Sequence, residues 1–203
     1  MRGPLGDARL ERLPRLDPRG TALHGIIATR RSVREFGRRG LTPAEVGALL
    51  WAGQGITSAD GARAAPSAGA LYPITLTLVD ARGVWRYVPA EHALSPAERG
   101  DRRARLAAAA LDQEHVAEAP LTVAVTARPA RLSARYRERA ERYCVLEAGH
   151  VAQNVLLMAT ALGLAAVPVA AFDDEAVRSV LGLGAGDLAL YLLPVGAPRR
   201  DGV

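Results

Sequence analysis

There is no lysine in this chain; all 26 basic residues are arginine. Alongside abundant Ala, Gly and Pro, that skew is what coding bias leaves, so a net charge of +5 is weak ground for a nucleic-acid partner. Aromatics are scarce at 4%, too few to give the arginines an extended run of base-stacking platforms, which argues further against nucleic acid. The single cysteine, Cys144, excludes an intramolecular disulfide and any multi-cysteine metal site, and reads as a small buried thiol. Glu147 and His150 carry metal-ligating groups, but there is no HExxH pair and no second histidine nearby, so no metal is expected. A GxSxG nucleophile elbow is also missing. No apolar run reaches ~18 residues without charge. No N-terminal stretch joins a basic start, an apolar run and a small-residue cleavage site. These absences lead us to expect a cytoplasmic protein without membrane contact.

What is present is ordinary for a globular chain: 203 residues, 49% apolar and 23% charged, enough for one domain with a sizeable core. Residues 1–20 have no steady period and are expected to form an irregular arm, with a single domain over 21–203. Thr21 caps a short helix to about Ala28. Thr42-Pro43-Ala44-Glu45 spells a capping box with proline in the first turn, opening a helix that ends near Gly53 and Gly55. Ile74–Val79 is strand-like, and 83–88 is its hairpin partner across the turn at 80–83. The pattern predicts a helix over Arg99–Ala110, a strand over Leu121–Ala127, and a long helix from Arg135 to about Leu162. Gly163 stops that helix. Strands at Ala165–Ala171 and Ala189–Val195 flank a short helix capped by Asp173 or Asp174 and ending at Leu181. The hairpin demands an antiparallel pair, so the fold class is α+β: one central, mostly antiparallel sheet flanked by helices. Gly182-Leu183-Gly184-Ala185-Gly186 follows a helix and precedes a strand, the wrong context for a dinucleotide loop, and reads as a turn.

Three clusters carry chemistry. Arg30, Arg31, Ser32 and Arg34 put three guanidiniums and a hydroxyl within five residues, which suits a phosphate cradle or, equally, a solvated basic loop. Residues 65–73, APSAGALYP, form a small-residue loop between two prolines, able to lie against a flat ring or simply to make a tight connection. Glu147 to Asn154 places polar groups at helical spacing among apolar ones, as an interface network or a ligand wall would.

In this order the clusters resemble the nitroreductase superfamily. Leu50-Trp51-Ala52-Gly53-Gln54-Gly55-Ile56-Thr57, APSAGALYP at 65–73, GVWRYVPAEHAL at 83–94, LEAGHVAQN at 146–154 and the ending Leu193-Pro194-Val195-Gly196 are similar to its SagB-type dehydrogenase branch. The resemblance spans about residues 23–198. It implies an intertwined homodimer with FMN at the subunit interface. Arg30, Arg31, Ser32 and Arg34, joined by Arg199 or Arg200, would hold the phosphate end. Pro66, Ser67, Ala68, Gly69 and Leu71 would touch the flavin from the partner subunit. Pro168, Val169 and Ala170 would offer backbone groups near the reactive ring edge. The implied activity is hydride transfer at the flavin to a small-molecule or peptide substrate, with NAD(P)H or oxygen as the other redox partner. The alternatives are azoline dehydrogenation on a peptide, or a flavin-binding scaffold without activity. Azoline-oxidising relatives carry a Lys-Tyr pair where this chain has Arg135-Tyr136. Arginine stays protonated and cannot serve as a general base, leaving Tyr136 as an acid or a packing residue.

Overall fold

The computed structural model describes residues 21–199. Helices α1 (Ala22–Thr29) and α2 (Pro43–Gln54) come first. Strands β1 (Ile74–Asp80), β2 (Gly83–Val88) and β3 (Ala93–Arg99) follow, then α3 (Arg103–Ala109), α4 (Glu114–Glu118), β4 (Leu121–Ala127), α5 (Ala130–Tyr136) and α6 (Ala140–Ala161). The chain finishes with β5 (Ala165–Ala166), α7 (Asp174–Leu181) and β6 (Leu188–Gly196). The strands form one sheet in the order β3-β2-β1-β4-β6-β5, and every pairing is antiparallel.

Side-chain alternation splits the core between the two sheet faces. Leu76, Leu78, Val123, Val125, Leu193 and Val195 point to α2 and α6, where they meet Leu49, Leu50, Ala148, Val151 and Val155. Val79, Ala124, Ala189 and Leu192 point the other way, to Leu106 of α3, Val116 of α4 and Val177 and Leu181 of α7. The α2 side is packed tightly: a Cβ on Gly53 would stand 2.8 Å from Leu76 Cδ1 and 3.0 Å from Val155 Cγ2.

The capping box forms as the sequence predicts, with Glu45 N–H donating to Thr42 Oγ1 at 3.2 Å and Thr42 N–H to Glu45 Oε2 at 2.7 Å. Asp173 caps α7, and Gly163 leaves α6 at φ +67. Three expectations are corrected. The segment expected to start a helix at Arg99 instead ends β3, and α3 begins only at Arg103, after Gly100 at φ +86. The long helix from Arg135 is broken: α5 ends at Tyr136, and Arg137 at φ +49 turns the chain before α6 starts at Ala140. Beyond β5, the strand expected over Ala165–Ala171 makes a single bridge, Val169 to Leu192, because Pro168 has no N–H to extend the ladder. Among the described residues no helix is long and apolar enough to cross a membrane. The 1–20 arm and Arg200 lie outside the described residues.

Candidate functional site

The arginine cluster leaves the end of α1 in extended form. Arg30 N–H donates to Ile26 O at 2.9 Å, closing the helix, and Arg30 is half-buried. Arg31 folds back, its Nη1 donating to Ala28 O at 3.0 Å and Arg30 O at 2.7 Å. Ser32 and Arg34 stay exposed. The segment is stitched to β5 and to the residues that follow β6: Val33 N–H donates to Ala166 O at 3.0 Å, Gly37 N–H to Ala197 O at 2.8 Å, and Phe36 bridges Pro198. Arg199 therefore lies beside Glu35, with Nη1 3.9 Å from its Oε2. His115 of α4 sits near Arg34; burial first, then that charge, holds its pKa below the ordinary imidazole value. The cluster, Arg199 and the 165–170 segment thus occupy one corner.

Near this corner, Val167 N–H donates to Pro194 O at 3.3 Å and Val169 N–H to Leu192 O at 2.8 Å. Pro168 has no N–H. Among the described residues the N–H of Ala170 has no acceptor.

The small-residue loop lies elsewhere. Residues Ala68–Ala70 form a 3₁₀ turn with Gly69 at φ +62, and Ala70 and Tyr72 also take left-handed φ values of 54 and 46. Backbone held there stores strain that its surroundings must offset. Ser67 Oγ accepts from Tyr72 N–H at 2.9 Å, Arg131 Nη1 donates to Tyr72 O at 2.8 Å, and the Arg63 guanidinium lies 4.4 Å from the Tyr72 ring centroid. Arg135 and Tyr136 sit directly on the loop, since a Cβ on Gly69 would fall 2.8 Å from both Arg135 Nη1 and Tyr136 Oη. Tyr136 packs edge-on to Tyr143, centroids 4.9 Å apart.

Behind the loop is a polar cluster that sequence pattern reached only in part. Glu147 is 3% exposed and Gln54 1% exposed. Arg63 Nη1 donates to Gln54 Oε1 at 2.6 Å. Burial raises the Glu147 pKa; the Ser67 hydroxyl, the Arg63 charge and the Gln54 amide oppose that without a well-formed hydrogen bond to either carboxylate oxygen. Gln54 falls within a recognised motif, but Arg63, in a run of small residues, carries no periodic signal. His150 is exposed, so it and Glu147 do not converge. The Cys144 thiol is buried and pushed up to about 11, chiefly by desolvation, which makes it unreactive.

The nitroreductase family profile matches residues 27–197. A Methanocaldococcus jannaschii protein named for the nitroreductases is 38% identical over 199 residues, covering 95% of this chain and 98% of its own. The chain belongs to the nitroreductase family. A Ralstonia eutropha structure named for the same family has a TM-score of 0.81 at 25% identity, over 95% of this chain and 89% of that one. A chain of the Escherichia coli microcin synthetase complex with truncated pro-microcin bound shares the fold at TM-score 0.76 and 19% identity, over 98% and 79%. Nitroreductase-family membership carries the family's general chemistry, FMN-dependent oxidation and reduction.

The residues present fit such a cofactor. The corner at 30–34 has guanidiniums and a hydroxyl that would suit a phosphate, Ala170 N–H is without an acceptor among the described residues, and the 66–71 loop presents bare backbone. The two groups rest on different parts of the fold: the loop flanks α6 between Glu147 and Asn154, whose Nδ2 donates to Ala64 O at 3.2 Å, whereas the arginine segment is tied to Ala166 of β5 and to Ala197 and Pro198.

Proposed function

We propose that this chain is an FMN-dependent oxidoreductase of the SagB-type dehydrogenase branch, working as a homodimer whose flavin sites each draw on both subunits. The carrying observation is the separation of a ring-binding loop from a phosphate cradle, which a single chain holds apart. A second copy supplies the missing half. Its seat is the apolar surface around α1 and the second half of α6, where Leu23, Ile27, Trp51 and Leu162 are exposed and Leu23, Ile26, Leu157 and Met158 line a shallow groove.

Arg30, Ser32 and Arg34 hold the phosphate and ribityl chain, with Arg199 completing the charge and Arg200 next to it in sequence. Arg31, engaged on the α1 carbonyls, orders the cradle. Pro66, Ser67, Ala68, Gly69 and Leu71 contact the flavin from the partner. Of Pro168, Val169 and Ala170, Ala170 is the donor towards the ring edge. When bound, FMN supplies hydride transfer at N5; the protein places the substrate and complements negative charge on the reduced ring. Arg135 and Tyr136, resting on Gly69, serve both ends, Arg135 as fixed positive charge and Tyr136 as a proton donor. A permanently protonated Arg135 favours a small-molecule substrate with NAD(P)H or oxygen as redox partner over peptide azoline oxidation. The microcin synthetase likeness, at 19% identity, carries fold alone. Purified protein should show a flavin absorption spectrum with about one FMN per chain, bleached by NADPH or by a reduced substrate. Protein that stays colourless after incubation with FMN would refute the assignment. Bound flavin that no donor reduces would mark an inactive scaffold.

A further inference from the structure

Beside the loop, on its side away from the cradle, is a cavity of about 320 Å³ whose polar lining includes Arg63, Arg86, Arg131, Gln54 and Ser95. Among the described residues no Asp or Glu lines it. A smaller cavity of about 210 Å³ continues from it, sharing Thr75, Arg86 and Arg131. Its one acid, Asp187, is taken up by Arg128 in a two-pronged pair at 2.9 and 3.0 Å.

The three guanidiniums are each anchored. Arg63 Nη1 is held by Gln54 Oε1 at 2.6 Å, Arg86 Nη2 donates to Gly182 O at 2.8 Å, and Arg131 Nη1 donates to Tyr72 O at 2.8 Å. Each anchor uses part of a five-donor fork and leaves the remaining N–H groups without a partner among the described residues. Arg63 is half-buried, while Arg86 and Arg131 line the cavity from exposed positions, so the lining is positive and open to an entering anion. Burial chiefly lowers the Arg63 pKa, and the neighbouring Arg131 charge adds to it. Glu147, the buried carboxyl near Arg63, has its pKa raised by burial, while the Arg63 charge opposes that rise.

We propose that this cavity is an oxyanion site, binding the phosphate or carboxylate of the molecule that exchanges hydride with the flavin. Its use in catalysis rests on the oxidoreductase reading above; its affinity for an oxyanion does not. Two of its guanidiniums, those of Arg63 and Arg131, grip Tyr72 at the end of the flavin loop, so an anion seated there anchors its carrier beside the loop.

The test is calorimetric titration of FMN-saturated protein with inorganic phosphate, the cradle at Arg30 being already filled. One saturable site is expected. Arg86→Ala and Arg131→Ala should each weaken it by about tenfold or more, as loss of a charge-assisted contact does. Arg86→Lys should fall between, keeping charge without the fork, and Arg105→Ala, on the exposed side of α3, should bind as the parent does. Thermal melts on each variant separate lost binding from lost folding. Steady-state kinetics distinguish the sources: a raised KM for NADPH but not NADH in Arg86→Ala assigns the donor's extra phosphate, whereas a raised KM for an acidic acceptor alone assigns the substrate. Absence of saturable phosphate binding, or equal binding by Arg86→Ala, Arg131→Ala and the parent, overturns the proposal. The flavin spectrum of the same samples keeps the two readings apart: flavin-free protein defeats the oxidoreductase assignment, and flavin-loaded protein indifferent to phosphate defeats only the oxyanion site.

Discussion

Arg30 and Glu147 answer opposite electrostatic problems. In the proposed site Arg30 would meet a phosphate dianion leaving water, with up to two charge-assisted hydrogen bonds worth about 1.5–3 kcal/mol each. Arg30→Ala should therefore weaken FMN binding by about 100-fold. Arg38→Ala, exposed and outside the cluster, is the control. Equal FMN dissociation constants in the two variants would reduce 30–34 to a basic loop. Glu147, in contrast, is a carboxyl that burial disfavours as an anion. Its folded pKa stands above the ordinary 4.5, so the native state keeps a proton that the unfolded chain has released. Stability should fall as pH rises from about that ordinary value through the raised one, then level off. Glu147→Gln should abolish the fall, so its melting temperature gains on the parent's as pH increases. Parallel melting curves across that range would mean that Glu147 is ionised in the folded protein. Residue types and spacing disclosed the Arg30 cluster because its members are adjacent in the chain. The Glu147 cluster was half hidden, because Gln54, Arg63, Ser67 and Glu147 come from separate segments and meet only in space.

Elements with local signals were legible: the capping box of α2, the Asp173 cap and the Gly163 stop are short-range events, and they form as written. Strand β3 was not, since Ala93–Arg99 is an edge strand holding Pro96 and mostly facing solvent, with no apolar alternation. The break between α5 and α6 also escaped, because nothing in Arg135-Tyr136-Arg137-Glu138 disfavours helix; Arg137 at φ +49 is a tertiary consequence. That break seats Arg135 and Tyr136 on Gly69, and Gly69 gives the loop a sharp test. Alanine there must hold φ +62 and push aside Arg135 Nη1 and Tyr136 Oη, each 2.8 Å from its Cβ. The left-handed backbone alone costs about 1–2 kcal/mol. Gly69→Ala should lose about that much stability in urea and about tenfold in FMN affinity. Gly40→Ala, where a Cβ meets nothing within 4 Å, should be close to neutral. A Gly69→Ala protein with unchanged flavin affinity would remove the loop from the site.

At the scale of the whole molecule, one antiparallel sheet clothed on both faces sets the geometry. Helix α6 spans 22 residues, with the 66–71 loop beside it and the 30–34 segment tied to β5 after it, while its outer side and α1 leave apolar surface uncovered. The class of fold was readable from the hairpin and the helix caps, but the placing of the loop and the arginine segment on different parts of the fold was not, because it depends on where connections return in space. The proposed dimer with shared sites would use both features, and obligate interfaces bury more than about 2,000 Å². Mixed dimers test it most directly. Coexpress an Arg30→Ala chain with a Gly69→Val chain, isolate the heterodimer by two affinity tags, and measure its FMN content. Shared sites put both defects in one site and leave the other whole, so about one FMN per heterodimer is expected, against almost none in either homodimer. A heterodimer as empty as the two homodimers would show that each chain builds its own site, and would contradict the shared-site dimer.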